Sequence, residues 1–245
     1  MHKFFVSKQN IDDYNAVITG DDVKHIYKVL RLQENDTVII NDTEGTEYEA
    51  EISEINKKEV IVKLIKKLDI NNESKIRIHL FQGMPKGQKM ELIIQKCTEL
   101  GVNFFYPLIT ERTDIKLKGE YKKIDRLNRI ALEASKQCKR SVIPKVFDAI
   151  DFKSANEYLK NMDLIVVPYE NEEKYGIKKI ADNVSLDIKD IAVIIGPEGG
   201  FEESEIEYLK EINSKIVTLG NRILRTETAA ITTCGIIQYV FGDLG

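Results

Sequence analysis

The sequence predicts an α/β protein, with a C-terminal domain built on a parallel sheet and a small β-rich unit ahead of it. From residue 75 onward, short apolar runs alternate with stretches of helical period, the signature of strands joined by helices. Those runs, such as 191–195, are apolar at every position, as strands covered on both faces are. Before residue 70 the dominant period is two, with charged and apolar residues in alternation.

In the first unit, residues 36–42 read as a strand ending in a polar turn at Gly45, and 48–55 and 59–65 as alternating strands. Residues 21–30 read as a short helix with Val23, Ile26, Tyr27 and Leu30 on one stripe and Asp21 or Asp22 as cap. Several short strands with one helix suit a small barrel over residues 1–70. The polar stretch 69–74 is the expected linker.

The second unit, 75–245, opens with a strand at 76–81. A helix at 88–100 follows, with Met90, Ile93, Ile94 and Cys97 inward and Gly101 as its stop. Residues 104–109 form a strand, and 124–138 a helix with Leu127, Ala131 and Ala134 inward, so that its lysines and arginines face out. Buried strands are expected at 164–167, 191–195 and 216–219, with an amphipathic helix at 202–212 and a largely apolar one at 228–241.

Composition excludes several classes. The longest apolar runs fall far short of a membrane span, and Met1-His-Lys-Phe-Phe5 lacks a signal-peptide core, so a cytoplasmic protein with no membrane partner is expected. Three scattered cysteines (Cys97, Cys138, Cys234) and three histidines leave no metal-ligand spacing, and no metal is expected. The net charge of −4 argues weakly against nucleic acid. Between positions 112 and 145, however, eleven basic residues (Arg112, Lys116, Lys118, Lys122, Lys123, Arg126, Arg129, Lys136, Lys139, Arg140, Lys145) face only four acids. Taken alone, such a run is better read as a solvated helix face.

Two segments carry chemistry. Ile191-Ala-Val-Ile-Ile195 leads into Gly196-Pro-Glu-Gly-Gly200 and then an acid-rich helix start. A strand, a glycine-rich turn and a helix usually hold a phosphate. Here neither G-x-G-x-x-G nor a Walker lysine is present, and Glu202, Glu203 and Glu205 would repel a phosphate. A cationic or neutral ligand fits better; S-adenosylmethionine has a sulfonium and no phosphate. The alternative is a plain tight turn. The second segment, 218–228, also follows a strand and enters a helix, bending at Gly220-Asn221 and setting Arg225 beside Glu227. Two such turns at the ends of neighbouring strands converge where α/β proteins bind ligands.

Gly196-Pro-Glu-Gly-Gly-Phe together with Leu219-Gly-Asn-Arg-Ile-Leu-Arg-Thr-Glu-Thr-Ala resembles the knotted SPOUT methyltransferases, and more narrowly the family that methylates uracil N3 in 16S ribosomal RNA. The resemblance runs through His25-Ile-Tyr-Lys-Val-Leu-Arg31, Lys86 to Lys89, Gln95-Lys-Cys-Thr-Glu-Leu-Gly101, Pro107 with Arg112, Gln137-Cys-Lys-Arg140 with Pro144, and the terminal Phe241-Gly-Asp-Leu-Gly245. Lys136 departs from the family's usual glutamate, and Lys3 stands where arginine is common.

The resemblance implies a PUA- or OB-like barrel, a deep trefoil knot at about 163–242, and a homodimer with each active site near the partner's surface. Local pattern does not reach a knot, since connections are almost always unknotted. It implies S-adenosylmethionine held by Val167, Pro168, Ile195, Gly196, Pro197, Gly199, Gly200, Leu219, Gly220, Ile223, Leu224 and Thr226, largely through backbone. Arg225 is the candidate to orient the base or stabilise developing charge; Glu198 and Glu227 are candidates to accept a proton or, alternatively, to hold loop amides. Lys3, Arg31, Lys86, Arg112, Arg126, Arg129, Lys139 and Arg140 become candidate contacts to the RNA, free or in an assembled subunit. The rivals are a SPOUT enzyme acting on another rRNA or tRNA nucleotide, a catalytically silent assembly factor, and a phosphate-binding nucleotide enzyme. The intact glycine loops disfavour the second, and the acidic helix start the third.

Overall fold

The computed structural model describes residues 1–114, 121, 123–182, 184 and 187–244; Lys116, Lys118, Glu120 and Lys122 of the basic run, and Gly245, lie outside them. The chain divides into two compact units, 1–73 with 135–143, and 74–134 with the residues from 144 onward.

In the first unit the strands are β1 (Lys3–Phe5), β2 (Asn15–Thr19), β3 (Thr37–Asn41), β4 (Glu47–Ile55) and β5 (Glu59–Leu68), in the spatial order β1-β3-β4-β5-β2. All pairs are antiparallel except β1 with β3. The period-two pattern sends Val38, Ile40, Ala50, Ile52, Val60 and Val62 into one core with Phe4, Ala16, Ile18 and Ile26. The expected helix at 21–30 is α1 (Asp21–Lys24) followed by a π-helical stretch, His25–Leu30, which stops at Arg31 in the left-handed region (φ 55°). The expected linker is tied down at its end: Glu73 accepts the backbone N–H groups of Ser141 and Val142 at 2.9 and 3.0 Å.

The second unit carries β6 (Arg77–Gly83), α2 (Lys89–Glu99), β7 (Val102–Ile109), α3 (Ile124–Cys138, whose end enters the first unit), β8 (Lys145–Val146), β9 (Ile150–Asp151), α4 (Asn156–Leu159), β10 (Leu164–Pro168), α5 (Ile177–Ala181), β11 (Asp190–Ile195), α6 (Glu203–Glu211), β12 (Lys215–Val217) and α7 (Thr226–Phe241). Its sheet is parallel throughout, in the order β12-β10-β11-β6-β7-β8 with β9 also on β7. Strand residues alternate between two cores. Ile78, Leu80, Val166, Val193 and Ile195 meet α2, α5 and α7 on one face; Phe81, Val167, Ala192 and Ile194 meet α4 and α6 on the other. Burial on both faces explains runs with no polar position. The C-terminal ends of β10, β11 and β12, three adjacent strands, open onto one side.

Candidate functional site

Three loops leave those strand ends, and together they line a cavity of about 810 Å³. The loop after β10 contributes Pro168, Tyr169, Glu170, Glu172 and Glu173; the loop after β11 contributes Ile195 to Glu198, Gly200 and Phe201; the loop from β12 to α7 contributes Thr218 to Thr226. Lys89, at the start of α2, and Ala229 of α7 complete the lining. The volume falls within the range of small-molecule sites.

The β11 loop is held from several sides. Thr226 donates from Oγ1 to the Gly196 carbonyl at 2.6 Å and accepts from Gln82 Nε2 at 2.8 Å. Gly200 lies at φ +70°, a backbone conformation that favours glycine, and a Cβ there would fall 2.6 Å from Glu170 Oε1. Arg112 grips the loop's exit: Nε and Nη2 donate to the two Glu202 oxygens at 2.7 and 3.0 Å, and Nη1 donates to the Gly199 carbonyl at 3.0 Å. Buried Glu205 receives the Glu202 and Glu111 N–H groups at 2.9 and 3.0 Å, so two of the three acids at the helix start, Glu202 and Glu205, are spent on internal bonds.

Lys89 Nζ lies 2.8 Å from Glu198 Oε1 and 3.7 Å from Glu227 Oε2. The Glu198 hydrogen bond raises the Lys89 pKa, keeping it cationic. Burial pushes the Glu198 carboxyl up, but Lys89 and the Lys86 N–H outweigh this and hold it below the usual range. An ionised carboxylate so engaged is a weak base and a good tether. Glu227 differs: Oε2 is buried and accepts no hydrogen bond among the described residues. Arg225 is exposed at the N-cap of α7, and no hydrogen bond or ion pair holds its guanidinium among the described residues.

Of the residues expected to hold a cofactor, the cavity gathers Pro168, Ile195, Gly196, Pro197, Gly200, Leu219, Gly220, Ile223, Leu224 and Thr226, with Arg225 and Glu198 beside them. Val167, Gly199 and Glu227 do not line it: Val167 is wholly inside the second core, and Gly199 faces Arg112. Ile223 is 86% exposed and is not a core residue. Sequence reasoning missed Glu170 and Gln82. The acids of Tyr169-Glu-Asn-Glu-Glu173 directly after an apolar strand were the available signal for the first; Gln82 sits inside a strand run and gave none.

The candidate RNA contacts separate. In the first unit Arg31 and Lys139 are exposed, but Arg140 is only 4% exposed and pairs with Glu73 at 2.5 Å, while Lys3 donates to buried Glu47 at 2.5 Å. A cation already desolvated against a carboxylate is poorly placed to neutralise a phosphate, so these two differ from expectation. Lys136 pairs with Asp22 at 2.8 Å, so both departures from the family pattern make ion pairs inside this unit. In the second unit Arg129 is exposed, Arg126 pairs with Glu91 at 2.8 Å, Lys86 pairs with Asp114, and Arg112 is committed to the loop.

A family model described as an RNA methyltransferase domain matches residues 72–238, and one described as an RNA methyltransferase PUA domain matches 18–65. The ribosomal RNA small subunit methyltransferase E of Bacillus subtilis is 37% identical over 98% of this chain and 96% of its own. That of Aquifex aeolicus is 31% identical, with 97% and 99% covered. Among solved structures, a ribosomal RNA small subunit methyltransferase E from Neisseria gonorrhoeae bound to S-adenosyl methionine superposes with a TM-score of 0.86 at 27% identity, covering 100% of both chains. A methyltransferase from Legionella pneumophila in complex with SAM gives 0.84 at 30% identity, covering 99% of this chain and 98% of that one.

Proposed function

This chain belongs to the ribosomal RNA small subunit methyltransferase E family, and from that premise we propose that it methylates N3 of a uracil in 16S ribosomal RNA, using S-adenosylmethionine. The observation that carries the reading is the convergence of three adjacent strand-end loops on one cavity beside an uncommitted arginine, Arg225.

The cavity residues fit this cofactor. Pro168, Ile195, Leu219 and Leu224 offer apolar surface for an adenine, the glycine loop offers backbone groups, and the acid-rich wall suits a cation and not a phosphate. When bound, the cofactor supplies an electrophilic methyl group on a sulfonium. The protein's work is then positioning, since two reactants must be aligned for in-line transfer. Arg225 donates to the uracil oxygens, where negative charge grows as N3 loses its proton. Glu198 anchors Lys89 and the Lys86 amide, which leaves Glu227, outside the cavity lining beside Lys89, as the carboxylate with unspent acceptor capacity. Exposed Arg31, Arg126, Arg129 and Lys139 supply phosphate contacts.

The same reading includes a division into a barrel of residues 1–70 and a methyltransferase domain of 75–245, a C-terminal knot, a homodimer and a cytoplasmic location. Exposed Leu92 and Tyr239, on the mutually packed helices α2 and α7, support a self-associating face. No helix among the described residues is long and apolar enough to cross a membrane, and no metal-holding group of His, Cys, Asp or Glu occurs among them.

The test is transfer of labelled methyl from S-adenosylmethionine to 16S rRNA, free and in assembled small subunits, followed by nucleoside mapping. Label recovered as 3-methyluridine is the expected result; label on another base or on ribose, or none, overturns the reading.

A further inference from the structure

We propose that Glu170 binds the α-ammonium group of the cofactor's methionine moiety, and thereby fixes which end of the cavity the amino-acid tail occupies. The inference rests on the cavity being the cofactor site.

Charge in the cavity lining is divided. The loop after β10 carries Glu170, Glu172 and Glu173, the loop after β11 carries Glu198, and Lys89, Arg222 and Arg225 come from α2 and the β12–α7 loop. The three acids after β10 are not equivalent. Glu172 caps its own turn, accepting the Lys174 and Tyr175 N–H groups at 2.8 and 3.0 Å. Glu170 instead reaches across to the β11 loop, where its Oε1 occupies the place a Gly200 side chain would take. No hydrogen bond or ion pair holds this carboxylate among the described residues. Arg112 feels its charge, yet directs its own N–H groups to Glu202 and Gly199. Glu170 is therefore a cavity-lining acceptor that lies against the β11 loop with its bonding capacity unspent.

S-adenosylmethionine offers two cations, and the chemistry chooses between them. The sulfonium has no N–H to donate. Its charge also disperses as the methyl leaves, so a carboxylate against the sulfur would stabilise the ground state more than the transition state and slow transfer. The ammonium has three donors and keeps its charge throughout the reaction. A carboxylate there improves binding without opposing chemistry.

Calorimetry with three probes tests this: S-adenosylmethionine, S-adenosylhomocysteine, which keeps the ammonium but not the sulfonium, and 5′-methylthioadenosine, which has neither. In Glu170→Gln, which keeps the shape and removes the charge, the first two should weaken about tenfold and alike, with the third unchanged. Loss confined to S-adenosylmethionine places Glu170 at the sulfur and overturns the assignment. So does equal loss for all three probes, no loss for any, or an equal selective loss in a parallel Glu173→Gln variant. Wild-type protein that binds none of the three overturns the cofactor reading itself, and this assignment with it.

Discussion

The Thr226 hydroxyl donates to the Gly196 carbonyl at 2.6 Å, tying the first turn of α7 to the glycine loop after β11. The same oxygen receives Gln82 Nε2, so one buried hydroxyl joins β6, β11 and α7. Thr226→Val keeps the shape but strands a partly buried carbonyl and a buried amide N–H, which costs about 1–3 kcal/mol. The unfolding free energy from urea titration should fall by that amount, and affinity for S-adenosylmethionine should fall with it. Thr226→Ser should restore both; a serine variant as weak as valine would show that the methyl, not the hydroxyl, matters.

Arg225 should separate turnover from binding. Its guanidinium makes no internal bond among the described residues, so Arg225→Ala removes no loop contact. Turnover should drop about 10²- to 10³-fold, as loss of one donor to a developing oxyanion does. Cofactor affinity by calorimetry should change less than about threefold. Equal losses in both would make the arginine architectural.

Gly196 should tolerate no branched side chain. A Cβ there would lie 3.3 Å from the Gly200 backbone and from the Phe201 ring, so alanine is tight and valine needs the loop to move. Gly196→Val should abolish cofactor binding while the far-ultraviolet dichroism stays native. Retained calorimetric affinity would separate this loop from the cofactor.

Much of this site was legible because the signals are local. Apolar runs with no polar position mark doubly covered strands, and glycines directly after two of them mark where backbone bends around a ligand. What was not legible depends on partners distant in sequence. Gln82 looks like one polar residue in a strand until Thr226, in α7, is placed against it. Arg140 looks like part of a basic track, and only the fold shows it buried on Glu73. The π-helical stretch His25–Leu30 keeps the same apolar stripe as an α-helix over so short a length.

Acid should destabilise the second unit in two separable steps. His79 is buried, its Nδ1 has no hydrogen-bond partner among the described residues, and its Nε2 lies 3.0 Å from Asp190 Oδ1. Burial lowers its pKa from 6.5 despite the carboxylate. The folded state thus disfavours the charged ring, and the stability difference is complete above pH 6.5 and shrinks as pH falls below it. Asp190 is lowered from 3.8, chiefly by its bonds from Arg77, so its contribution persists above that pH and disappears as pH falls through the depressed value. Urea midpoints of His79→Gln should therefore stay flat between about pH 6.5 and 5, where wild type declines. Parallel profiles would assign the decline to other groups.

The two kinds of arginine near α3 should behave in opposite ways. Arg140 is buried on Glu73, whose carboxylate also holds the Ser141 and Val142 amides, so Arg140→Ala leaves a partly buried charge uncompensated. Breaking such a pair costs about 3–5 kcal/mol, and the loss should appear in the urea midpoint. Arg129 is exposed, and Arg129→Ala should leave the midpoint unchanged. In filter binding to 16S rRNA it should instead weaken affinity and lower the slope of log K against log salt by about 1, the signature of one lost phosphate contact. An unchanged slope in Arg129→Ala, with affinity intact, would take this face of α3 out of the RNA interface and leave the phosphate contacts to Arg31, Arg126 and Lys139.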